Sequence, residues 1–576
     1  MCGIHAVISA SSSSLPNISP DLRQNLVNRG PDYFGQVERA SPDRKRQLQF
    51  TSTVLALRGD YVTKQPLRNA DGSGDVLCWN GEAWRFGDEV IGQHENDGEV
   101  VFAALSKART EEEVMGVWRG VEGPFAFVYF CEEKQRVFWG RDRLGRRSLM
   151  IKRLEGGGVV LGSIAGNGGE EGGKWEEVEA DGVYSMGLRD GEVKRHDWIV
   201  GEVREQFVSR PFLMCGEGSA GLSNLLWQVS SIGVFNKALP SSDGETPLTS
   251  ASPSVQALKE QLMESLKLRV LNIPEPPSSG TGNTRVAVLF SGGLDCTVLA
   301  RLCHDILEPD QEIDLLNVGF ENPRVVAQLK KDANGKEVDF FEACPDRITG
   351  RKSFAELKSV CAGRAFRFVA VNVPYSEMQA HRQQVISLIH PHNTEMDLSI
   401  ACALYFAARG QGSVTPDNPR LDSESSSASY TSPARVLLSG LGADELFGGY
   451  SRHPAAFQRA GYSGLVDELL LDVSRLGKRN LGRDDRAMAH WGKEVRFPFL
   501  DERLVRWAIA TPAWEKCDFE NGEGKSGVEA GKRVLRLLAI ELGMEGVAKE
   551  KKRAIQFGSR TAKMESGRVK GTTLLS

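Results

Sequence analysis

Position 2 holds a cysteine, followed by glycine and a short apolar run, in the opening MCGIHAVISA. If Met1 is removed, Cys2 carries a thiol and a free α-amino group on one residue. The pKa of an unperturbed thiol is about 8.5 and that of an α-amine about 7.7–8.0, so the amine could accept the proton of the thiol on the same residue. The alternative is an ordinary free cysteine near the chain end. Other motifs have to decide between the two.

A second chemical signal is VAVLFSGGLDCTVLA. An apolar strand is predicted to end at Phe290, a tight turn follows at 291–293, and a helix begins near Leu294–Asp295. Two glycines let the backbone approach a ligand, and the N–H groups at the helix start form an anion site. The pattern is neither a Walker A loop nor a dinucleotide loop. SGGxD is typical of enzymes that cleave ATP to AMP and pyrophosphate, whereas an isolated SGG could be a plain glycine turn.

A matching turn lies downstream in LLSGLGADELFGGYSRH, at Ser439–Gly440. Asp444 and Glu445 follow at the predicted start of a helix. Adjacent carboxylates beside a polyphosphate are suited to Mg²⁺, although acids in a first helical turn also complement the helix dipole. Because loops at the carboxyl ends of parallel strands share one edge of a sheet, the two Ser-Gly turns should hold one nucleotide from both sides.

The elements that must position these residues fall into two patterns. Residues up to about 200 contain short β-branched and aromatic runs between turns, which predicts a β-rich domain. Residues 237–284 are rich in Pro, Ser and Gly around one amphipathic helix and are interpreted as a linker. From 285 onward strands and helices alternate, which indicates a parallel α/β sheet. The segment 411–433 is predicted to be a disordered insertion.

Composition excludes several classes of protein. The 576 residues carry a formal net charge of -5, with no basic stripe for nucleic acid and no apolar run long enough to span a membrane. No signal peptide is recognisable at the start. The ten cysteines show neither C-x-x-C pairs nor metal-ligand spacing, which favours reduced thiols and a cytoplasmic location. The oligomeric state is left open.

An ordered set of motifs extends over nearly the whole chain: MCGI, NRGPDYFG, LRGDYVTKQPL, WNGE, NDGE, GRDRLGRRSL, SGGLDC, SGLGADELFGGYSRH, RDDRAMAHWGKEVRFPFLD, GKRVLRLLA and KRAIQFGS. In this order they resemble the glutamine-dependent asparagine synthetase family, and more closely its eukaryotic branch of asparagine synthetase domain-containing proteins. The resemblance implies an N-terminal αββα glutaminase sandwich of the N-terminal-nucleophile type, expected over residues 2–208. It also implies a doubly wound ATP pyrophosphatase-like domain over 285–576, with ammonia passing between them inside the protein.

By resemblance, Cys2 is the nucleophile that attacks glutamine, and Arg58 binds the glutamine α-carboxylate. Asn80 and Gly81 would supply the oxyanion donors, and Asp97 would pair with the substrate ammonium. Taken singly, each has a structural alternative: an ion pair for Arg58 and Asp97, a turn for Asn80–Gly81. The NRGPD and GRDRLG motifs are interpreted as shaping the site.

For the second domain the resemblance implies the cofactors ATP and Mg²⁺ and an acceptor carboxylate, with aspartate the leading choice. A lysine of KEKKR, Lys551 or Lys552, would neutralise the α-phosphate, although a solubilising tail is an equal alternative. The implied ATP-binding residues are Leu289, Ser291, Gly292, Gly293, Asp295, Val318, Ser439, Gly440 and Lys552, and the implied metal ligands are Asp444 and Glu445.

Two positions depart from the family pattern. Cys296 replaces the usual serine of the phosphate loop, and Leu441 replaces the glutamate assigned to ammonia attack. Glu395 or Asp397 could substitute for that acid. The leading hypothesis is therefore an ATP-dependent, glutamine-hydrolysing amidotransferase. The alternatives are a binding or regulatory protein that has lost the synthetase step, and a glutaminase joined to a nucleotide sensor.

Overall fold

The computed structural model describes residues 2–9, 15, 17–69, 74–166, 173–199, 232–241, 247–275, 283–332, 338–415, 428–522, 527–564 and 570–575. The chain divides into two compact units. The first comprises Met1–Phe235 and Leu471–Gly492, and the second comprises Asn236–Leu470 and Lys493–Ser576. The expected glutaminase boundary at residue 208 lies outside the described residues.

The first unit contains two six-stranded sheets. In one, the strands lie in the spatial order Trp175–Glu177, Met150–Arg153, Val159–Gly162, Gly3–Ile8, Gln47–Val54 and Tyr33–Ala40. In the other, the order is Val193–Asp197, Gly182–Gly187, Arg136–Arg141, Phe125–Cys131, Val76–Gly81 and Leu67–Arg68. A small third sheet joins Glu89–Val90, Arg85–Phe86 and Val121–Glu122.

Alternation along the strands builds two apolar layers in this unit. In Val76–Gly81, Val76 and Cys78 join the core that also contains Ile4 and Phe50, so they fill the space between the two sheets. Leu77 and Trp79 point the other way and join a core with the buried faces of two helices, Asp97–Leu105 and Glu111–Gly120. A third helix, Pro20–Arg29, buries Leu22 and Leu26 against the strand Gln47–Val54 of the other sheet. The predicted αββα sandwich is confirmed.

The segment Leu471–Gly492 packs in the first unit, whereas the sequence assigned it to the C-terminal domain. It contains the end of the helix Arg452–Ser474, the helical turn Leu476–Arg479 and the helix Leu481–Ala489. All nine residues of that last helix are buried, four of them charged. The physical reason is that Asp485 and Arg486 pair with Arg29 and Glu177 of the first unit, while Arg483 and Asp484 pair with each other.

The second unit contains one seven-stranded sheet in the order Ala428–Thr431, Gln411–Val414, Phe366–Val373, Glu312–Phe320, Thr284–Leu289, Val436–Leu438 and Glu494–Arg496. The last five strands are mutually parallel. The first two form an antiparallel hairpin at one edge, so the prediction of disorder over 411–433 is wrong at both ends of that segment. Backbone pairing between the two ends holds them in the sheet, and residues 416–427 lie outside the described residues.

The strand order reverses beside Thr284–Leu289: the chain first adds strands on one side, then returns to Val436–Leu438 on the other. In open parallel sheets, the crevice at such a reversal is where ligands bind. The two Ser-Gly turns follow these two strands. The predicted doubly wound sheet is therefore confirmed, and both turns lie at its switch point.

The helices of this unit connect the strands and flank them along the chain. The linker helix is fixed by charge: Arg269 pairs with Asp501 at 2.9 Å, and the Arg496 guanidinium donates to the Arg269 carbonyl at 2.7 Å. The described helices are Pro253–Val270, Leu294–Ile306, Pro323–Asp332, Pro345–Val360, Tyr375–Ile389, Glu395–Arg409, Ala443–Phe447, Arg452–Ser474, Glu502–Ala510, Arg533–Glu541, Glu545–Ala548 and Ile555–Gly558, with 3₁₀ turns at Pro498–Leu500 and Ala513–Glu515.

Nine of the ten cysteines lie among the described residues, and all nine are buried free thiols. In the part of the chain that is described, no helix combines the length and apolar character required to cross a membrane.

Trp118 tests the outer core of the first unit. It is fully buried and its ring stacks on Phe127 with centroids 3.4 Å apart. Trp118→Ala should destabilise this unit by about 3–5 kcal/mol, because it removes a large side chain from a packed core. The measurement is the urea midpoint of the first unfolding transition, with the exposed Val90→Ala as the control expected within about 0.5 kcal/mol of wild type. An unchanged midpoint for Trp118→Ala would contradict this account of the core.

Candidate functional site

Cys2 lies at the start of the strand Gly3–Ile8 and is buried. Its sulfur lies 3.8 Å from the Nε2 of Gln65, and the Oε1 of the same glutamine accepts a hydrogen bond from the Trp79 backbone at 2.9 Å. Gln65 therefore links the thiol in one sheet to the strand Val76–Gly81 in the other. The sequence did not single out Gln65, although it stands within the LRGDYVTKQPL motif.

Asn80 follows Trp79 on that strand and is fully buried. Among the described residues, neither the Nδ2 nor the Oδ1 atom of its side chain has a hydrogen-bond partner. A buried amide without partners loses the hydrogen bonds that water would provide, so such groups are rare without a functional reason. At Gly81 a side chain could not be accommodated, because a Cβ would lie 2.6 Å from the Cβ of Phe125. The Asn80 amide is therefore suited to hydrogen bonds with a bound ligand.

Arg58 and Asp97 flank the same strand. Arg58 Nη1 lies 3.6 Å from Glu82 Oε2, and its Nη2 donates to the Ile91 carbonyl at 3.0 Å. Asp97 opens the helix Asp97–Leu105, and its Oδ2 accepts hydrogen bonds from Trp79 Nε1 at 3.0 Å and from the Ala83 backbone at 2.8 Å. Asn80 and Gly81 lie on Val76–Gly81, and hydrogen bonds link Cys2 and Asp97 to Trp79 of that strand, the former through Gln65. Arg58 contacts Glu82, the next residue along the chain, so all five predicted glutaminase residues are grouped around this strand.

In the second unit, the first Ser-Gly turn is fixed by close backbone packing. Gly292 has a φ of +80°, and a Cβ there would lie 2.5 Å from the Cα of Gly350 in the helix Pro345–Val360. Ser353 of that helix donates to the Gly292 carbonyl at 2.6 Å. Only glycine fits this position, as the sequence motif predicts. Leu289 ends the strand before the turn, and Val318 is buried on the neighbouring strand.

The second turn meets the first. A Cβ at Gly440 would lie 2.7 Å from the Cβ of Asp295, so the two loops touch where the strand order reverses. Ser439 Oγ accepts from the Leu441 backbone at 3.3 Å, just as Ser291 Oγ accepts from the Gly293 backbone at 3.3 Å. Both turns therefore use the serine hydroxyl to shape their own backbone.

Between the turns lies a cluster of opposite charges. Lys532 Nζ contacts Asp295 Oδ2 at 2.6 Å and Asp444 Oδ1 at 2.8 Å, and Lys552 Nζ contacts Asp444 Oδ2 at 2.5 Å. One ammonium thus bridges two half-buried carboxylates, and a second reaches the cluster from a more exposed position. Lys551, the other candidate from the same basic run, is exposed.

The charges of the cluster control one another. Burial raises the pKa of Asp295, even though Lys532 opposes the shift. Asp444 behaves differently: burial would raise the pKa of its carboxyl, but Lys532 and Lys552 together hold that pKa well below the ordinary value. Burial works against the charge of Lys532 too, and the two carboxylates nevertheless raise the pKa of Lys532. The site therefore holds a permanent anion and a permanent cation near neutral pH.

Glu445 is separated from this cluster. Its Oε1 accepts a hydrogen bond from the Tyr450 hydroxyl at 2.6 Å, and burial together with the charge of Asp444 raises the pKa of Glu445. Within the described residues, no group of three or more His, Cys, Asp or Glu side chains is arranged to hold a metal ion. Mg²⁺ usually takes one or two carboxylates and completes its shell with water and substrate phosphates. The carboxylates of Asp295 and Asp444, which share the Lys532 ammonium, fit that requirement. The sequence pattern had instead paired Asp444 with Glu445.

Lys532 was missed as a site residue. It belongs to the quoted GKRVLRLLA motif, but a lysine before an amphipathic helix normally indicates a solvated position. Here Lys532 is only 4% exposed and has a φ of +56°, which places its side chain toward the two carboxylates. No local sequence pattern could show that a cation was required at that point.

The departures from the family pattern have clear surroundings. Cys296 Sγ lies 3.7 Å from Ser291 Oγ and donates to the Gly293 carbonyl at 3.3 Å, so its thiol stays inside the turn. Leu441 offers no titratable group beside Ser439. Of the two suggested substitutes, Asp397 accepts a hydrogen bond from the cap residue Thr394, and Glu395 lies 3.7 Å from Arg382.

One buried acid near the first turn was not expected from the sequence. Asp346 lies in the first turn of the helix that packs on Gly292, and its backbone carbonyl accepts from Asn317, which also donates to the Phe290 carbonyl. Burial raises the pKa of Asp346 to about 7, and Arg553, at 3.7 Å, opposes that shift. Asp346 therefore reaches the first Ser-Gly turn through its backbone, while its carboxyl contacts Arg553.

Comparison with known proteins finds one matching family for the N-terminal part of the chain and another for the C-terminal part. The glutamine amidotransferase domain family matches residues 1–189, and the asparagine synthase family matches residues 427–467 and 458–572. Asparagine synthetase domain-containing protein 1 of Mus musculus is 34% identical, covering 99% of this chain and 98% of the mouse protein. The protein of that name from Homo sapiens is 33% identical over 98% of this chain and 96% of its own length.

A more distant relative is the glutamine-hydrolyzing asparagine synthetase of Gallus gallus, which is 24% identical over 89% of this chain and 77% of its own length. Full-length similarity above 30% identity, with both domain families in the expected order, settles the relationship. The chain belongs to the family of asparagine synthetase domain-containing proteins.

Proposed function

We propose that this protein is an ATP-dependent, glutamine-hydrolysing amidotransferase, which transfers ammonia from glutamine to an adenylated carboxylate, with aspartate as the acceptor and asparagine as the product. The observation that carries the proposal is the buried Asn80 amide, whose two polar atoms have no hydrogen-bond partner among the described residues. Asn80 lies on the strand that Gln65 links to Cys2. An oxyanion is the group that an unpaired buried amide donor can stabilise.

In the glutaminase half, the Cys2 sulfur attacks the carboxamide carbon of glutamine. Its proton passes to the Cys2 α-amine, which is free once Met1 has been removed, and then to the departing ammonia. Asn80 Nδ2 and the Gly81 N–H donate to the oxyanion, while Arg58 and Asp97 bind the α-carboxylate and α-ammonium. Water then cleaves the thioester and releases glutamate.

In the synthetase half, the acceptor carboxylate attacks the α-phosphorus of ATP, and pyrophosphate leaves. The two Ser-Gly turns present backbone N–H groups to the phosphates, with Leu289 and Val318 on the strands that lead to the site. Mg²⁺, held by Asp295 and Asp444, would neutralise phosphate charge. Lys532 holds the two carboxylates together and offsets their mutual repulsion before substrate arrives, and Lys552 supports the developing negative charge. Ammonia then attacks the acyl adenylate and AMP leaves.

Leu441 and Cys296 motivate a second candidate, in which the fold binds glutamine and ATP but forms no amide. Losing a general base typically lowers a rate by about 10²–10⁴. Incubation with glutamine, ATP and aspartate, followed by analysis of products, separates the two candidates: asparagine, AMP and pyrophosphate support the proposal. Nucleotide binding without an amide product, with turnover restored in Leu441→Glu, would support the second candidate instead. We also propose a cytoplasmic location, because the buried free thiols suit a reducing compartment.

Cys2→Ala should abolish glutamate release from glutamine, because it removes the only atom that forms the thioester. The assay is glutamate formation with and without ATP, together with intact mass to establish that Met1 is absent. Cys78→Ala is the matched control: burial raises the pKa of that thiol to about 12 and keeps it unreactive. Equal glutamate release in Cys2→Ala and wild type would remove the glutaminase claim.

Asn80→Ala should lower kcat for glutamine hydrolysis by about 10²–10³ and leave the KM for glutamine within a few-fold, because the lost donor acts mainly on the oxyanion. Steady-state kinetics of glutamate release measure both constants. Asn69→Ala, which removes an amide that accepts a hydrogen bond from Ser106 Oγ at 3.2 Å, should leave both unchanged. A raised KM with normal kcat would assign Asn80 to ground-state binding instead.

Lys552→Ala should slow aspartate-dependent pyrophosphate release by at least tenfold, because its ammonium contacts Asp444. Lys551→Ala, the adjacent exposed lysine, should stay within twofold of wild type. The measurement is pyrophosphate formation with ATP, Mg²⁺, aspartate and ammonia, so the glutaminase does not contribute. Equal effects of the two substitutions would show that the basic run acts only through its overall charge.

A further inference from the structure

Arg29 lies directly behind Cys2 in the first unit. Its Nε lies 3.4 Å from the Cys2 carbonyl oxygen, and its Nη2 donates to Asp485 Oδ2 at 2.9 Å. The side chains of Arg29 and Asp485 are both 0% exposed. A guanidinium thus joins the main chain of the candidate nucleophile to a carboxylate that follows it by more than 480 residues.

Asp485 is itself held from two further directions. Its Oδ2 accepts from the Ser148 backbone at 3.3 Å, and its Oδ1 lies 3.7 Å from Arg147 Nη1. The guanidinium groups that interact with Asp485 include those of Arg29 and Arg147, and Asp485 also acts electrostatically on Arg486 of its own helix, so the carboxylate offsets positive charge from several sides. Buried charges need such partners, because an uncompensated ion in a low-dielectric interior is strongly unfavourable.

The segment that carries Asp485 also covers the turn after Arg29. His490 Nε2 lies 3.4 Å from Asn28 Nδ2, and a Cβ at Gly492 would lie 3.4 Å from the Cγ of Pro31. The NRGPD turn is therefore packed between the strand Gln47–Val54 and the segment Leu471–Gly492. This segment lies outside residues 1–189, which match the glutamine amidotransferase domain.

We propose that Asp485 is a positioning residue for Cys2 and acts through Arg29, so that the glutaminase needs a side chain from Leu471–Gly492 to hold its nucleophile. The inference rests on the proposed glutaminase function. Asp485 fixes the guanidinium, the guanidinium fixes the Cys2 carbonyl, and the carbonyl limits rotation of the residue that carries both thiol and amine. Asp485 also cancels positive charge that would otherwise act on the thiol.

The test compares Asp485→Asn with Asp484→Asn in the full chain. Asp484 is the neighbouring buried acid on the same helix, and it lies 2.8 Å from the adjacent Arg483. The first readout is the pH profile of Cys2 alkylation by iodoacetamide, followed on the Cys2 peptide by mass spectrometry. In Asp485→Asn the Arg29 guanidinium loses this carboxylate, so its positive charge acts more strongly on the thiol and stabilises the thiolate. The inflection should therefore fall by at least half a pH unit in Asp485→Asn and stay unchanged in Asp484→Asn.

The second readout is glutamate release. Asp485→Asn should lower kcat at least tenfold with KM for glutamine within threefold, because Arg58 and Asp97 still bind the substrate, and Asp485→Glu should restore part of the loss. An unchanged inflection in a folded Asp485→Asn protein, or an equal change in Asp484→Asn, would overturn the proposal. If wild type releases no glutamate, the proposed function fails, yet a shifted inflection still supports the positioning role of Asp485.

Arg29→Lys is the second variant, for use if Asp485→Asn does not fold. Lysine keeps a positive charge beside Asp485. In wild type, however, the Cys2 carbonyl and Asp485 bind to different nitrogens of the guanidinium, and a lysine has a single ammonium for both. The inflection should then stay near that of wild type, while kcat falls at least tenfold. Wild-type kcat in a folded Arg29→Lys protein would overturn the proposal.

Discussion

Buried charges of one sign need a charge of the opposite sign between them, and both candidate sites depend on this constraint. In the second unit, Asp295 and Asp444 share the ammonium of Lys532. In the first unit, Arg29 and Arg147 share the carboxylate of Asp485. Removing the shared group would weaken the compensation of two like charges that lie close together away from bulk water. The shared ions therefore fix the positions of the loops and the nucleophile around them.

Much of the architecture could be predicted from the sequence, because strand and turn patterns are local. The alternating strands before residue 200, the linker helix and the parallel strands after 285 were all recognisable. The switch point followed from two Ser-Gly turns after apolar strands. The edge hairpin Gln411–Val414 and Ala428–Thr431 could not be predicted, because its pairing closes across a polar stretch and depends on the neighbouring strand Phe366–Val373.

The sites were predicted less evenly than the fold. Residues in short motifs, such as Asn80 in WNGE and Gly292 in SGGLDC, could be singled out from the sequence. Gln65, Lys532 and Asp485 were not, because their importance comes from partners more than ten residues away in sequence. Lys532 bridges carboxylates that precede it by 237 and by 88 residues. A pattern over a few positions contains no information on which distant charge remains to be balanced.

Because Leu471–Gly492 belongs to the first unit, the two units cannot be separated by a single cut in the chain. A cut in the Pro- and Ser-rich stretch near residue 237 looks like a clean break between modules, yet the N-terminal piece would lose the carboxylate that faces Arg29. The C-terminal piece would in turn retain a helix whose nine buried residues face water. Gene fission or exchange of halves between relatives is therefore disfavoured, and the two units are expected to stay together on one polypeptide.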